Sequence, residues 1–104
     1  MDIQAVIRDQ VTGHPVVLYM KGTPQFPQCG FSATAVQILK ACGVGDFFSV
    51  DVLENQDIRE GIKQYANWPT IPQLYIQGQF VGGADIMREL YQSGELQKLL
   101  GAIG

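Results

Sequence analysis

Residues 16–32 read Val16-Val17-Leu18-Tyr19-Met20-Lys21-Gly22-Thr23-Pro24-Gln25-Phe26-Pro27-Gln28-Cys29-Gly30-Phe31-Ser32, and the rest of the chain is organised around them. The first five residues are apolar and predict a buried strand, while the residues after Gly30 repeat apolar side chains at helical spacing. Between these elements, Pro24, Pro27 and Gly30 predict a shaped, exposed loop. Cys29 is therefore expected where this loop becomes the first turn of a helix.

That position predicts a reactive thiol at Cys29. The unpaired N–H groups and the positive dipole end of a helix favour an anion. A thiol there, or beside a lysine, has a pKa of roughly 3.5 to 7.5 instead of about 8.5. Lys21 is placed to supply a second positive charge. Cys29 is thus a candidate thiolate that can attack a disulfide or bind a soft metal. The alternative, a buried and inert cysteine, fits the surrounding prolines and glycine less well.

Length and composition narrow the class of protein. The chain has 104 residues, which predicts one domain over residues 1–104. A net charge of −3 without a basic stripe argues against a nucleic-acid partner. No apolar run approaches the ~20 residues that span a membrane. The first ten residues lack the apolar segment of a secretion signal. The sequence therefore predicts a cytoplasmic protein, or an organelle-matrix protein if a transit peptide has been removed.

The two cysteines are not expected to pair with each other. Cys29 and Cys42 lie at the two ends of one predicted helix, 13 residues apart. A rise of 1.5 Å per residue separates them by about 20 Å. A disulfide requires Cα atoms within about 7 Å. Cys42, which precedes Gly43, is interpreted as a small buried apolar residue at a helix end.

The remaining patterns predict an α/β fold. Helices are expected at residues 2–12, 30–41 and 56–66, the last capped by Asn55, and in a stretch that Gly82-Gly83 opens. Strands are expected at residues 16–20, 47–52, 73–77 and 80–81. The first strand, helix and next strand form a right-handed crossover with parallel strands. The order α-β-α-β-α-β-β-α then gives a four-stranded mixed sheet with helices on both faces. In the last helical stretch, Ile86, Met87 and Leu90 are expected to face the core. Gly94 is expected to interrupt this stretch, before Leu96, Leu99 and Leu100 close the chain.

Four segments, in this order, carry a family resemblance. They are Lys21-Gly22-Thr23-Pro24, Pro27-Gln28-Cys29-Gly30-Phe31-Ser32, Trp68-Pro69-Thr70-Ile71-Pro72-Gln73 and Gly82-Gly83-Ala84-Asp85. Over nearly its whole length the chain resembles a monothiol glutaredoxin of the Cys-Gly-Phe-Ser type. The resemblance implies a thioredoxin-like fold, which agrees with the element order above. It also implies glutathione binding and a role in iron–sulfur cluster traffic and iron homeostasis.

Ser32 stands where dithiol relatives have a second cysteine. A second thiol can resolve a mixed disulfide internally, and a serine cannot. Any reductase cycle of this chain must therefore use an external thiol such as glutathione. Two roles remain open for Ser32: a hydrogen bond from its hydroxyl to the Cys29 sulfur, or a cap on the helix.

The resemblance places one wall of a glutathione site at Thr70, Ile71 and Pro72. It implies a cis peptide bond before Pro72, which presents the backbone of Ile71 to an extended peptide. The cysteine of glutathione would then pair with the N–H and C=O of Ile71 as a short added strand. Without the resemblance, residues 68–72 would be interpreted as a rigid turn.

The resemblance assigns the charged ends of glutathione to other residues. Lys21 and Arg59 contact the glycine carboxylate, for which the fork of an arginine is suited. Gly82 and Gly83 at a helix start offer N–H groups to the other carboxylate. Ala84, where many members of the family have cysteine or serine, keeps a backbone contact. Asp85 accepts from the γ-glutamyl ammonium. Taken alone, Arg59 would be interpreted as a solvated surface charge, and Asp85 as an ordinary acid of a first helical turn.

A count of ligands extends this interpretation to a cluster. A [2Fe–2S] cluster normally takes four thiolate-type ligands. The chain offers one exposed candidate, Cys29, so a single chain cannot hold a cluster. Two chains and two glutathione molecules supply four thiolates, in agreement with the cluster-bridged homodimer of the family. The resemblance also implies a BolA-type partner and apo iron–sulfur proteins as recipients.

Three functions are compatible with the sequence. The first is a carrier of a glutathione-ligated [2Fe–2S] cluster, with Cys29 as its metal ligand. The second is a glutathione-dependent thiol–disulfide oxidoreductase in which Cys29 alone is catalytic. The third is a non-catalytic module that regulates iron through a partner protein, which does not exclude the first.

Overall fold

A computed structural model describes residues 2–101, which form five helices and four strands. In chain order they are α1 (Ile3–Gly13), β1 (Val16–Met20), α2 (Gly30–Ala41), β2 (Phe48–Asp51), α3 (Gln56–Ala66), β3 (Gln73–Ile76), β4 (Gln79–Gly82), α4 (Ala84–Ser93) and α5 (Glu95–Gly101). The predicted helix over residues 30–41 is confirmed with the same bounds. No helix within these residues is both long and apolar enough to pass through a bilayer.

The four strands form one mixed sheet in the order β2-β1-β3-β4. β1 pairs in parallel with β2 and antiparallel with β3, and β3 pairs antiparallel with β4. The predicted crossover and mixed sheet are confirmed, and the fold is thioredoxin-like. Because β1 is central and runs parallel to β2, the loops that follow both strands leave the sheet at the same edge. This edge positions the site described below.

Side chains of β1 alternate between two core clusters. Val16, Leu18 and Met20 pack on the face covered by α2 and α4. Val17 and Tyr19 pack on the face covered by α1 and α3. Since all five are buried, β1 is a continuous apolar run, as expected for a strand with helices on both faces.

The ends of the helices follow their cap residues. The Asn55 side chain accepts from the backbone N–H of Ile58 at 3.1 Å, as its predicted N-cap role requires. Cys29 and Cys42 are the N-cap and C-cap of α2 and are both free thiols. They therefore lie about 20 Å apart, as predicted. Cys42, which was predicted to be buried, is only partly buried; it packs against the α2–α4 core cluster, and burial raises the pKa of its thiol.

In the C-terminal part of the chain the predicted interruption at Gly94 is confirmed, and one residue, Ile86, differs from the prediction. Gly94, at φ 85°, ends α4 with a left-handed residue, and a separate helix α5 follows. Leu99 keeps 42% of its surface exposed, whereas Leu96 is buried. Ile86 was predicted to face the core, but it is half-buried and lines a cavity. Ala84 and Met87, three residues apart, take the core-facing positions in this part of α4 instead.

Candidate functional site

A cavity of about 380 Å³ opens beside Cys29. It lies where the loop after β1, the segment before β3 and the start of α4 meet. Nine of the residues predicted for the site line this cavity: Lys21, Cys29, Arg59, Thr70, Ile71, Pro72, Gly83, Ala84 and Asp85. Gly82, which was also predicted to offer its N–H, does not line the cavity, because it is the last residue of β4. Five lining residues were not predicted as site residues: Phe31, Lys63, Trp68, Pro69 and Ile86.

Cys29 has the geometry expected of a thiolate. It is the N-cap of α2, with extended backbone at φ −154° and ψ 138°, and its side chain is partly exposed. The backbone N–H of Ser32 lowers the pKa of the thiol most, against a smaller upward effect of burial. The backbone N–H of Phe31 and the charge of Lys21 lower the pKa further. The first turn of the helix thus contributes more to the acidity of the thiol than the lysine does.

Ser32 joins the thiol to the end of β1. It is completely buried, and its hydroxyl accepts from the backbone N–H of Lys21 at 3.0 Å. The same hydroxyl lowers the pKa of Cys29 slightly. This effect has the direction that the predicted role toward the sulfur requires. Ser32 is not the cap of α2, because the N-cap is Cys29 and Ser32 is the third residue inside the helix.

The loop of residues 21–28 is held by its own backbone. The N–H of Gln28 donates to the carbonyl of Lys21 at 2.9 Å, and Thr23 and Phe26 exchange backbone hydrogen bonds at 3.1 and 3.3 Å. Gly22, at φ 88°, is the second residue of this loop. A Cβ at Gly22 would lie 2.5 Å from the carbonyl oxygen of Phe26, so the loop can close only over glycine.

Asp51 ties this loop to the neighbouring strand. One carboxylate oxygen accepts from the N–H of Gly22 at 2.9 Å and from the N–H of Leu53 at 3.0 Å. Sequence reasoning did not assign Asp51 to the site. The predicted topology could have indicated Asp51. The carboxyl ends of the parallel strands β1 and β2 lie side by side, and Met20 is the register partner of Asp51.

Residues 68–72, which we name the proline turn, form the opposite wall. The peptide bond between Ile71 and Pro72 is cis, as the resemblance implied. The side chain of Ile71 is buried in the α1–α3 core cluster. Within residues 2–101, the backbone N–H and C=O of Ile71 enter no hydrogen bond. Two main-chain groups beside the cavity are therefore available to a ligand.

The start of α4 forms the third wall. Gly83 is the N-cap, and Ala84 and Asp85 occupy the first turn. A Cβ at Gly83 would lie 3.2 Å from the carbonyl oxygen of Pro72 and 3.6 Å from Nε1 of Trp68. Trp68 Nε1 is buried without a hydrogen-bond partner in residues 2–101. Glycine at this position therefore allows the helix start to approach the proline turn closely.

The charged side chains of the cavity are mostly cationic. Lys21, Arg59 and Lys63 line it with only one carboxylate, that of Asp85, although the whole chain has a net charge of −3. The one ion pair within residues 2–101 joins Glu95 and Lys98, outside the cavity. Lys63 was missed by sequence reasoning. Its signal was its spacing of four residues from Arg59, which places both on one face of α3.

These observations define the class of the molecule. A mixed sheet carries a single acidified thiol at the N-terminus of the helix after its central strand. A turn with a cis proline and a second helix start complete a cationic cavity beside that thiol. This is the arrangement of a thioredoxin-like protein with one active cysteine.

Comparison with known proteins identifies the family. A model of the glutaredoxin family matches residues 16–81. The chain is 56% identical over 99 residues to an uncharacterized monothiol glutaredoxin (ycf64-like) of Synechocystis, with 95% of this chain and 92% of that protein covered. It is also 56% identical over 94 residues to Glutaredoxin 4 of Escherichia coli, covering 90% and 81%. The solution structure of reduced poplar apo GrxS14 superposes with a TM-score of 0.83 at 54% identity, covering 96% and 91%. The chain belongs to the glutaredoxin family and is a monothiol glutaredoxin.

Proposed function

We propose that this monothiol glutaredoxin binds glutathione in the cavity and carries a [2Fe–2S] cluster held between two subunits. The observation that supports this most is the acidified, partly exposed thiol of Cys29, which has no second thiol beside it in residues 2–101. A thiolate that is accessible in this way can act as a ligand of a soft metal ion. In this proposal the cluster is cargo, which the protein receives and passes on.

The charge of the cavity matches glutathione. Glutathione carries two carboxylates and one ammonium, and the cavity presents the three cations Lys21, Arg59 and Lys63 with the single carboxylate of Asp85. Lys21, with Arg59 and Lys63 from one face of α3, would hold the glycine carboxylate. An arginine fork can hold that group with two parallel hydrogen bonds. Asp85 is the one lining carboxylate that can accept from the ammonium.

Backbone groups account for the remainder of the tripeptide. The unused N–H and C=O of Ile71 can pair with its cysteine residue in the manner of an added strand. The start of α4 at Gly83 and Ala84 offers helix N–H groups to the γ-glutamyl carboxylate. Both contacts come from the main chain, so alanine rather than cysteine or serine at position 84 does not remove them. Thr70, in the proline turn beside Ile71, also lines the cavity.

The ligand count supports a shared cluster. Within residues 2–101, no three histidine, cysteine or acidic side chains are grouped to hold a metal ion. Cys42 caps the far end of α2. One chain therefore contributes one thiolate, and two chains need two more from glutathione to reach four. Glutathione ligands are exchangeable, which suits a protein that must release the cluster to a recipient.

Anaerobic reconstitution with iron, sulfide and glutathione tests the proposal. We expect a colourless monomer before reconstitution and a brown dimer afterwards, followed by visible absorption and by mass. Cys29→Ser should abolish the colour, and omission of glutathione should do the same. Cys42→Ser is the matched control and should keep the cluster. A cluster retained by Cys29→Ser would refute the ligand assignment.

The lowered pKa of Cys29 also favours a second function, thiol–disulfide exchange with glutathione. The Cys29 thiolate would attack the glutathione sulfur of a mixed disulfide, form a new disulfide with it and release the substrate thiol. Because Ser32 cannot resolve this intermediate, a second glutathione would release oxidised glutathione and regenerate Cys29. Turnover of a glutathione–mercaptoethanol disulfide measures this activity. Brisk turnover would favour the oxidoreductase, and feeble turnover would favour the carrier.

The partners and the location of the protein stay predictions. A BolA-type protein and apo iron–sulfur proteins are the expected partners of the cluster-bound dimer. A pull-down with and without cluster would show whether the BolA-type interaction needs the cargo. Fractionation would test the cytoplasmic or organelle-matrix location.

A further inference from the structure

We propose that Gln73 is a positioning residue of the glutathione site, which sets the geometry of the proline turn without contacting the ligand. The inference rests on the function proposed above. Gln73 is the first residue of β3 and is completely buried. It does not line the cavity, so its effect on a ligand must act through the proline turn.

Both ends of the Gln73 amide are engaged. Nε2 donates to the carbonyl of Trp68 at 3.1 Å and to the carbonyl of Thr70 at 3.2 Å. Oε1 accepts from the hydroxyl of Tyr75 at 3.0 Å. A single NH₂ group thus bridges two carbonyls of the proline turn, while its oxygen is anchored within the sheet.

The proline turn has few donors of its own, which explains the need for this amide. Pro69 and Pro72 have no N–H group. The N–H of Trp68 is already used, because it donates to the carbonyl of Lys63 at 3.0 Å. The backbone of the turn makes no hydrogen bond to the carbonyls of Trp68 and Thr70, and the fully buried Gln73 side chain from β3 supplies both.

The anchor itself is rigid. The ring of Tyr75 is almost fully buried and packs at 5.7 Å from Tyr19, 6.0 Å from Tyr65 and 5.4 Å from Phe80. Its hydroxyl therefore fixes the rotation of the Gln73 amide, with the oxygen toward Tyr75 and the NH₂ toward the turn. Held in this way, the turn leaves the N–H and C=O of Ile71 free for a peptide ligand.

Substitution to a carboxyl gives a specific signature of this role. Gln73→Glu keeps the shape and the acceptor for Tyr75 but, when ionised, removes both donated bonds. Burial raises the pKa of a carboxyl, and the protonated form regains one donor. Glutathione affinity of this variant should therefore improve as the pH falls. Gln73→Met keeps the length, has no donor at any pH and buries no charge.

The test is a glutathione titration of the apo protein between pH 6 and pH 8, followed by amide chemical shifts. We expect Gln73→Met to weaken binding about tenfold at every pH, because two hydrogen bonds that hold the proline turn are lost. Gln73→Glu should be weakened to a similar extent at pH 8 and should recover part of the lost affinity at pH 6. Gln79→Glu, at an exposed position of β4, is the matched control and should bind like the wild type.

Two results would overturn the inference. One is wild-type affinity at all pH values in a folded Gln73→Met variant, which remains available if the carboxyl variant does not fold. The other is unchanged shifts of the Thr70 and Ile71 amides in both variants. If the wild type itself did not bind glutathione, the proposed function would fail. The amide chemical shifts of Thr70 and Ile71 would still show whether Gln73 sets the conformation of the turn.

Discussion

Two irregular segments face each other across the cavity, and they are held in different ways. The loop of residues 21–28 is closed by backbone-to-backbone hydrogen bonds, with the Asp51 carboxylate anchoring it to β2. The proline turn is held by a buried side chain, that of Gln73. The first arrangement depends on backbone conformation, and the second depends on an amide with two donors. The two segments should therefore be sensitive to substitutions at different residues, and the sizes of the effects should differ.

The largest effect is expected from Gly22→Ala. An alanine would adopt φ 88° and place its Cβ 2.5 Å from one backbone atom and 2.7 Å from another. We expect a loss of about 3 kcal/mol or more in the free energy of unfolding, measured in urea. Gly45→Ala is the control, since a Cβ there meets no atom within 4 Å and should change the stability by less than about 0.5 kcal/mol. A stable Gly22→Ala variant would show that the loop does not depend on this backbone conformation.

Removal of the Asp51 carboxylate should have the next largest effect. Asp51→Ala leaves the N–H groups of Gly22 and Leu53 without their acceptor, which should cost about 2 kcal/mol. Asp51→Asn keeps an oxygen at the same place and should lose less than about 1 kcal/mol. Urea unfolding of the pair measures the difference. Equal losses in the two variants would mean that the charge of Asp51, not its two hydrogen bonds, stabilises the loop.

The tyrosines behind the proline turn predict sensitivity to alkaline pH. Burial raises the pKa of Tyr75 and of Tyr19 well above the ordinary value near 10. In the unfolded chain both ionise near pH 10, so their contribution to stability is complete below that pH and is lost as the pH rises further. We expect the free energy of unfolding to fall above pH 10, and to fall less steeply in Tyr75→Phe. An unchanged slope in that variant would exclude Tyr75 as a cause.

The smallest effect is expected at the thiol itself. Lys21→Met should raise the pKa of Cys29, read from thiolate absorbance at about 240 nm against pH. The rise should be partial, because the backbone N–H of Ser32 lowers this pKa more than the charge of Lys21 does. Lys40→Met, at the other end of α2, removes the same charge and should leave the titration unchanged. A return of the pKa to its ordinary value in Lys21→Met would show that the helix start contributes little.

The features that the sequence predicted depend on residues close together in the chain, whereas the anchors of the two segments do not. Apolar runs and helical spacing predicted β1, α2 and the parallel crossover, because these patterns depend on neighbouring residues. The family motifs predicted the cavity residues and the cis bond before Pro72. Asp51 and Gln73 were missed as anchors, since their bonds reach carbonyls and N–H groups whose positions only the folded chain defines. Ile86 was placed in the core because its spacing fits that face, while the start of α4 turns it toward the cavity.

In the proposed dimer, each chain contributes one thiolate ligand to the cluster, and two glutathione molecules contribute the other two. Native mass spectrometry of the anaerobically reconstituted protein counts these components directly. The predicted mass is that of two chains, one [2Fe–2S] cluster and two glutathione molecules. A cluster found on a single chain, or on two chains without glutathione, would contradict this claim.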